Sequence, residues 1–323
     1  MKKKIIFILS VGRSGSTVLD KFLGSHSDCF SLGEINHFTE EFIKNSICSC
    51  GVGQQECPFW SKMMRHINQE FQTDLLRNPD AFSTNCKIGK GSAFIRWLKL
   101  IDFLLYYSGN FPFVFRRIKE AMQNNIFLYR KVFDKVQENI LIDSSKDVIR
   151  ALFLEKLLKA EIECKHIFLV RDGRATVNSI LKREYRLLKK ENDSKKEKCA
   201  TFKSQVKIDF KSAVFQWKKV NKKIKLLLDV FKRDNYCLIK HEDFCKDPKS
   251  TFNNISNYLG VEWEDSMLDL TKKTHHMVGG NASRINAKSI QPSEEIWTTS
   301  FSDHDLLLFN KSAGQLNERF GYK

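Results

Sequence analysis

The first seventeen residues constrain the fold more than any other stretch. Ile5-Ile6-Phe7-Ile8-Leu9 is an unbroken apolar run. Two residues later the chain reads Gly12-Arg13-Ser14-Gly15-Ser16-Thr17, and a helical pattern begins at once. A strand apolar at every position must be covered on both faces, which is the signature of a parallel sheet. A Gly/Ser turn from such a strand into a helix offers backbone N–H groups and the positive end of the helix dipole to an anion. Arg13 adds a charged fork, Ser14 and Gly15 shape the turn, and Ser16 and Thr17 add hydroxyl donors. The loop lacks the lysine of G-x-x-x-x-G-K-[ST], which counts against an ordinary nucleoside triphosphatase. Three lysines precede the apolar run, so the chain start imitates a signal peptide. The run is too short and no small-residue cleavage pattern follows, so a buried strand is expected.

The same rhythm recurs downstream. Cys29–Leu32, Ile140–Ile142, His166–Val170 and Asn235–Ile239 read as strands. Helical patterns cover Thr17–Gly24 and run from about Lys249 to Leu259. Alternation of this kind predicts an α/β fold, a parallel sheet flanked by helices, with ligands at the carboxyl ends of the strands. The 323 residues are 42% hydrophobic and 28% charged, an ordinary globular balance that argues against global disorder and a multi-span membrane protein. A formal net charge of +16 favours anionic partners without choosing among them. Nine cysteines, an odd number unevenly spaced, argue against a secreted disulfide framework. The expected location is cytoplasmic, with peripheral contact at the inner membrane face as an alternative.

A second candidate anion site follows the strand His166–Val170. Arg171 stands at its carboxyl end, Ser179 falls about two turns into the next helix, and Arg183 lies one further turn along the same face. Two cations and a hydroxyl there suit a phosphate. The plainer alternative is that Arg171-Asp172 is an ion pair at a helix start.

The two sites together resemble the two halves of a sulfotransferase that uses PAPS (3′-phosphoadenosine 5′-phosphosulfate). The similarity is closest to the tyrosylprotein and bacterial carbohydrate-type branches. It rests on GRSGST, Leu32-Gly33-Glu34, Ser144-Ser145-Lys146-Asp147, LVRDGRATVNS up to Ser179, Lys240-His241-Glu242-Asp243-Phe244, Gly279–Arg284 and the ending Phe320-Gly321-Tyr322. The resemblance implies a nucleotide-kinase-like phosphate-loop fold with a helical insertion. It implies one domain over 1–323, with an insertion over about 45–138 capping the acceptor side. PAPS is the implied donor, and the desulfated nucleotide PAP is the product. Residues Arg13–Thr17 would hold the 5′ end, while Arg171, Ser179 and Arg183 would hold the 3′-phosphate. Glu34 would be the general base, with Lys146 and Arg13 stabilising the transition state. Asn281 and Arg284 would contact the nucleotide from a late flexible loop. One departure stands out: His241 occupies a position where tyrosine is common.

The implied acceptor is a hydroxyl compound, either a carbohydrate, a lipid-linked glycan or tyrosine, and no nucleic-acid partner is expected. The rival readings are an ATP-dependent phosphate-loop kinase and a non-catalytic basic polyanion- or membrane-binding protein. Cys48, Cys50 and Cys57 have C-x-C-x₆-C spacing with no evident fourth ligand, although Cys86 or His66 could serve. No metal is expected for the chemistry, and metal or disulfide at these thiols stays open. Phe94–Phe133 reads as an aromatic, basic helical cap, with an interfacial lipid-binding pair as the alternative. Lys182–Lys203 reads as a helix extension and loop, or as a patch that attracts an acidic acceptor.

Overall fold

A computed structural model describes residues 2–86, 101, 104, 116–194, 208–232, 235–292 and 296–323. Most of the aromatic, basic stretch up to residue 115, and the lysine-rich tract from 195 to 203, lie outside the described residues.

Strands β1 (Lys4–Leu9), β2 (Cys29–Gly33), β3 (Ile140–Asp143), β4 (Glu163–Val170) and β5 (Cys237–Lys240) form one parallel sheet flanked by helices. Their order is β2-β3-β1-β4-β5, which makes β1 the central strand. Its five apolar residues are at most 1% exposed, as the unbroken run requires. Burial at this level is worth about 2 kcal/mol per side chain. Lys4 pairs with Ile140 and Phe7 with Asp143, and Cys29 of β2 pairs with Ile140 from the other side. The helices that follow the strands are α1 (Ser16–Gly24), α2 (Phe38–Ile43), α3 (Trp60–Glu70), α4 (Arg116–Phe133), α5 (Val148–Leu158), α6 (Gly173–Ser194), α7 (Phe210–Lys232), α8 (His241–Lys246) and α9 (Pro248–Leu259). The crossover from β1 leads to β2, and that from β3 leads the opposite way to β4. In parallel sheets of this kind ligands generally bind at the carboxyl ends of the strands.

Internal contacts divide the chain into two compact units. One comprises Met1–Leu9, Thr17–Ile167 and Phe252–Ile290, and the other Ser10–Ser16, Phe168–Thr251 and Gln291–Lys323. In the first, Asp147 caps α5, its carboxylate accepting from the backbone N–H groups of Ile149 and Arg150. Arg150 itself is buried among polar partners. Its Nη1 donates to Asp143 Oδ2 at 2.8 Å, and its Nη2 donates to Asn125 Oδ1 at 2.5 Å and Tyr129 Oη at 2.8 Å. Removing the guanidinium would strand the carboxylate of Asp143, which is 1% exposed. Arg150→Ala is therefore expected to cost about 3–5 kcal/mol of stability, measured by urea unfolding.

In the second unit Trp217, fully buried, packs edge-on to Phe320 at 6.3 Å and against Phe309 at 5.9 Å, and Phe320 packs on Phe168 at 5.6 Å. Trp217 Nε1 donates to the carbonyl of Arg171. The apolar core thus fixes the end of β4, where the second candidate anion site begins. Among the described residues no helix is long and apolar enough to cross a membrane.

Candidate active site

The candidate anion-binding groups of the second unit start from a strained backbone. Arg13 adopts φ +75°, a conformation that costs a non-glycine residue of order 1–3 kcal/mol and persists only when its surroundings hold it. They do so here. Arg13 Nε donates to Ser179 Oγ at 3.1 Å, and the Arg13 carbonyl accepts from Arg171 Nη1 at 3.2 Å. The loop is pressed against His241, so that a Cβ added to Gly15, itself at φ +88°, would lie 2.3 Å from His241 Nδ1. Burial, and then the Arg171 charge, push His241 down to about 3, so its ring is neutral at ordinary pH.

Four guanidiniums gather at this loop. Arg13 is held below its usual value by burial first, and then by Arg186, Arg183 and Arg171. Among the described residues no ion pair joins any of the four to a carboxylate. Asp172 does not pair with Arg171; it is engaged by Arg174, whose Nη2 lies 2.6 Å from Asp172 Oδ2 and whose guanidinium stacks on Trp297 at 4.0 Å. The helix-start ion pair considered for Arg171 is thus made by its neighbours. Arg171 Nε is buried without a hydrogen-bond partner. Glu242 accepts from the backbone N–H of Asp172 at 3.2 Å and from Tyr322 Oη at 2.6 Å, so the Lys240–Phe244 motif and the Phe320–Tyr322 ending both brace the end of β4.

In the first unit Glu34 follows β2 and Lys146 follows β3 by three residues. Lys146 Nζ is hydrogen-bonded to Glu34 Oε1, with both side chains largely shielded from solvent. Lys146 also has a left-handed backbone, φ +66°. Gly33 (φ +73°) lies so close to Val278 that a Cβ there would sit 2.3 Å from its carbonyl oxygen. Glu34 N–H donates to that same oxygen at 2.7 Å, which fixes where the carboxylate begins. Gly280 lies beside Glu34 and Thr17: a Cβ added to it would be 3.8 Å from Glu34 Oε1.

The model of the Sulfotransferase family matches residues 6–265. The chain belongs to this family. Among solved structures, the sulfotransferase domain from the Synechococcus PCC 7002 olefin synthase is 19% identical, with 100% of this chain and 97% of that one covered and a TM-score of 0.53. The sulfotransferase domain from the curacin biosynthetic pathway is also 19% identical, with 99% and 98% covered and a TM-score of 0.51. At these identities the likeness is one of fold. A search of curated proteins finds no match.

Within the family frame the candidate residues separate. Arg13, Arg171, Ser179 and Arg183 gather in the second unit, and Glu34 and Lys146 pair in the first. Ser14, Ser16 and Thr17 are buried in the loop and at the start of α1. Arg284 lies in the first unit. It donates to the carbonyls of Ile47, Gly280 and Asn281, while Asn281 Oδ1 accepts from the backbone of Ser283. His37, three residues after Glu34, is tied to Glu40 at 2.8 Å. Arg186 escaped sequence reasoning although it falls on the face of Ser179 and Arg183, seven and three residues on.

Asp20 was also missed, because nothing in the pattern of α1 marks it. Its carboxylate accepts from Ser144 Oγ at 2.5 Å, and its Oδ1 is buried without a partner. Burial pushes the carboxyl up to about 7, against the lowering effect of the Ser144 and Ser31 hydroxyls. The folded state therefore keeps a proton that an ordinary aspartate in the unfolded chain gives up near pH 3.8. That contribution is complete below about pH 4 and is lost as pH rises through about 7. Asp20→Asn is expected to flatten the fall in stability over this range, read from urea midpoints across pH. An unchanged slope would mean that Asp20 does not titrate there.

Proposed function

We propose that the chain transfers the sulfuryl group of PAPS to a hydroxyl acceptor and releases PAP. The acceptor oxygen forms a bond to sulfur, the bond from sulfur to the 5′-phosphate oxygen breaks, and the hydroxyl proton passes to Glu34. Lys146 and Arg13 neutralise charge on the sulfuryl oxygens and on the departing phosphate. Positioning and electrostatics supply most of the rate, as in phosphoryl transfer. Arg13–Thr17 hold the 5′ end of the donor, and Arg171, Ser179 and Arg183 hold its 3′-phosphate. In this reading Arg186 adds charge to the same site.

The observation that carries the reading is the group of four guanidiniums around Arg13 and Ser179, unpaired with any carboxylate among the described residues. Such a cluster is stable only beside an anion or water, and it lies at the carboxyl end of β4. A glycan, lipid-linked glycan or tyrosine hydroxyl is the proposed acceptor, and a parallel test of all three classes separates them. With ³⁵S-labelled PAPS, label is expected in one acceptor class together with an equal amount of PAP. Labelling by γ-phosphate from ATP, with PAPS inert, would contradict the reading.

A further inference from the structure

Cys48, Cys50 and Cys57 sit on the irregular segment between α2 and α3, whose only regular feature is a bridge between Ile47 and Gly53. The fold adds a fourth group that the sequence places 219 residues away. His276 Nδ1 lies 3.2 Å from Cys57 Sγ, and Cys57 Sγ lies 3.7 Å from both Cys48 Sγ and Cys50 Sγ. All four ligand atoms fall within 4.8 Å of one another. We propose that these four residues form a structural zinc site.

The geometry fits this ligand. Tetrahedral zinc with Zn–S bonds of ~2.3 Å holds its sulfurs about 3.8 Å apart. Sulfurs joined as a disulfide are ~2.05 Å apart, and three mutually close thiols leave one without a partner. Three cysteines and one histidine complete a closed four-ligand shell with no position for substrate, which is the structural rather than the catalytic pattern. Backbone N–H groups of Cys50, Val52, and both Phe59 and Trp60 donate to the sulfurs of Cys48, Cys50 and Cys57 respectively. The His276 ring is fixed by stacking on Phe59 at 5.5 Å, and its carbonyl accepts from Trp60 Nε1 at 2.6 Å. Such second contacts orient metal ligands. On binding, the three thiols release their protons to solvent and the neutral imidazole gives its Nδ1 lone pair.

The site joins the cysteine segment to the piece of chain that positions Glu34. Ser49 Oγ donates to the carbonyl of His275 at 2.6 Å and accepts from the N–H of Met277 at 2.7 Å. One residue later, Val278 pairs with Gly33 and receives the Glu34 N–H. Zinc would pin the cysteine segment to the strand-like run that carries Val278, Gly279 and Gly280. This role is independent of which nucleotide the chain binds.

The test is elemental analysis of untagged protein purified without added zinc. About one zinc per chain is expected for wild type and for the control Cys237→Ser, and less than about a tenth for Cys57→Ser. Replacement by cobalt should give thiolate-to-cobalt charge transfer and intense tetrahedral ligand-field bands in wild type. These spectra keep the proposal testable if Cys57→Ser fails to fold. Chelation should lower the melting temperature of wild type and leave that of a folded Cys57→Ser unchanged. Folded wild type without stoichiometric zinc and without the cobalt bands would overturn the assignment. So would a Cys48–Cys57 or Cys50–Cys57 disulfide in peptide maps, or full zinc retention by Cys57→Ser.

Discussion

Arg171→Ala is expected to weaken PAP binding by about 100-fold and 5′-AMP binding by far less. A hydrogen bond to a charged group contributes about 1.5–3 kcal/mol, and two such bonds from one fork to a phosphate reach at least about 3 kcal/mol, where 1.4 kcal/mol is tenfold. The structure gives Arg171 the means. Its Nε is buried without a partner, its neighbour Asp172 is held by Arg174, and its backbone carbonyl is anchored by Trp217. Alanine leaves that backbone anchor in place, so the loss should appear in the ligand that carries a 3′-phosphate. Arg171 also donates to the Arg13 carbonyl. Equal losses for PAP and 5′-AMP, measured by calorimetry, would make Arg171 a support for the loop instead.

Glu34→Gln should lower turnover by about 10²–10⁴-fold while PAP affinity stays within a few-fold of wild type. Glutamine keeps the shape and the hydrogen bond to Lys146 but cannot take the proton. The backbone of Glu34 is fixed by the carbonyl of Val278, so the substitution changes chemistry more than position. Lys146→Ala should cost about 10²–10³-fold, because a donor is removed from where charge develops. Its left-handed backbone supports the assignment. Only Arg13, Asn45, Gln72 and Lys146 among the described non-glycine residues have positive φ, and two of them are the cations proposed to stabilise the transition state. Wild-type turnover in Glu34→Gln, in a steady-state assay with PAPS and its acceptor, would remove Glu34 as the base.

The sheet was legible where burial leaves a strong pattern. β1 is apolar at five successive positions and appeared where expected. β4 begins three residues earlier than the apolar run, because Glu163, Cys164 and Lys165 are only half-buried. β5 is displaced toward Lys240; its Leu238 is exposed and only Ile239 is buried, so its residues alone mark it weakly. The strand order is not written in periodicity at all; only the fold gives it. The candidate anion groups could be picked out because each follows a strand end within a short, typed motif. Arg186 was hidden by the lysine-rich tract that contains it. His276 could not be paired with three cysteines across 219 residues without the fold. Arg284, expected from the resemblance to contact the nucleotide, donates to the carbonyls of Gly280 and Asn281 in its own loop and of Ile47, 237 residues away, a contact that only the fold reveals.

The central claim is that the guanidinium cluster reads a 3′-phosphate on an adenosine nucleotide. Titration calorimetry of wild type with PAP, 5′-AMP and ATP under one buffer tests it most directly. The account predicts that PAP binds about 100-fold more tightly than 5′-AMP, the difference that one arginine-held phosphate supplies, and more tightly than ATP. PAP binding no tighter than ATP would contradict it.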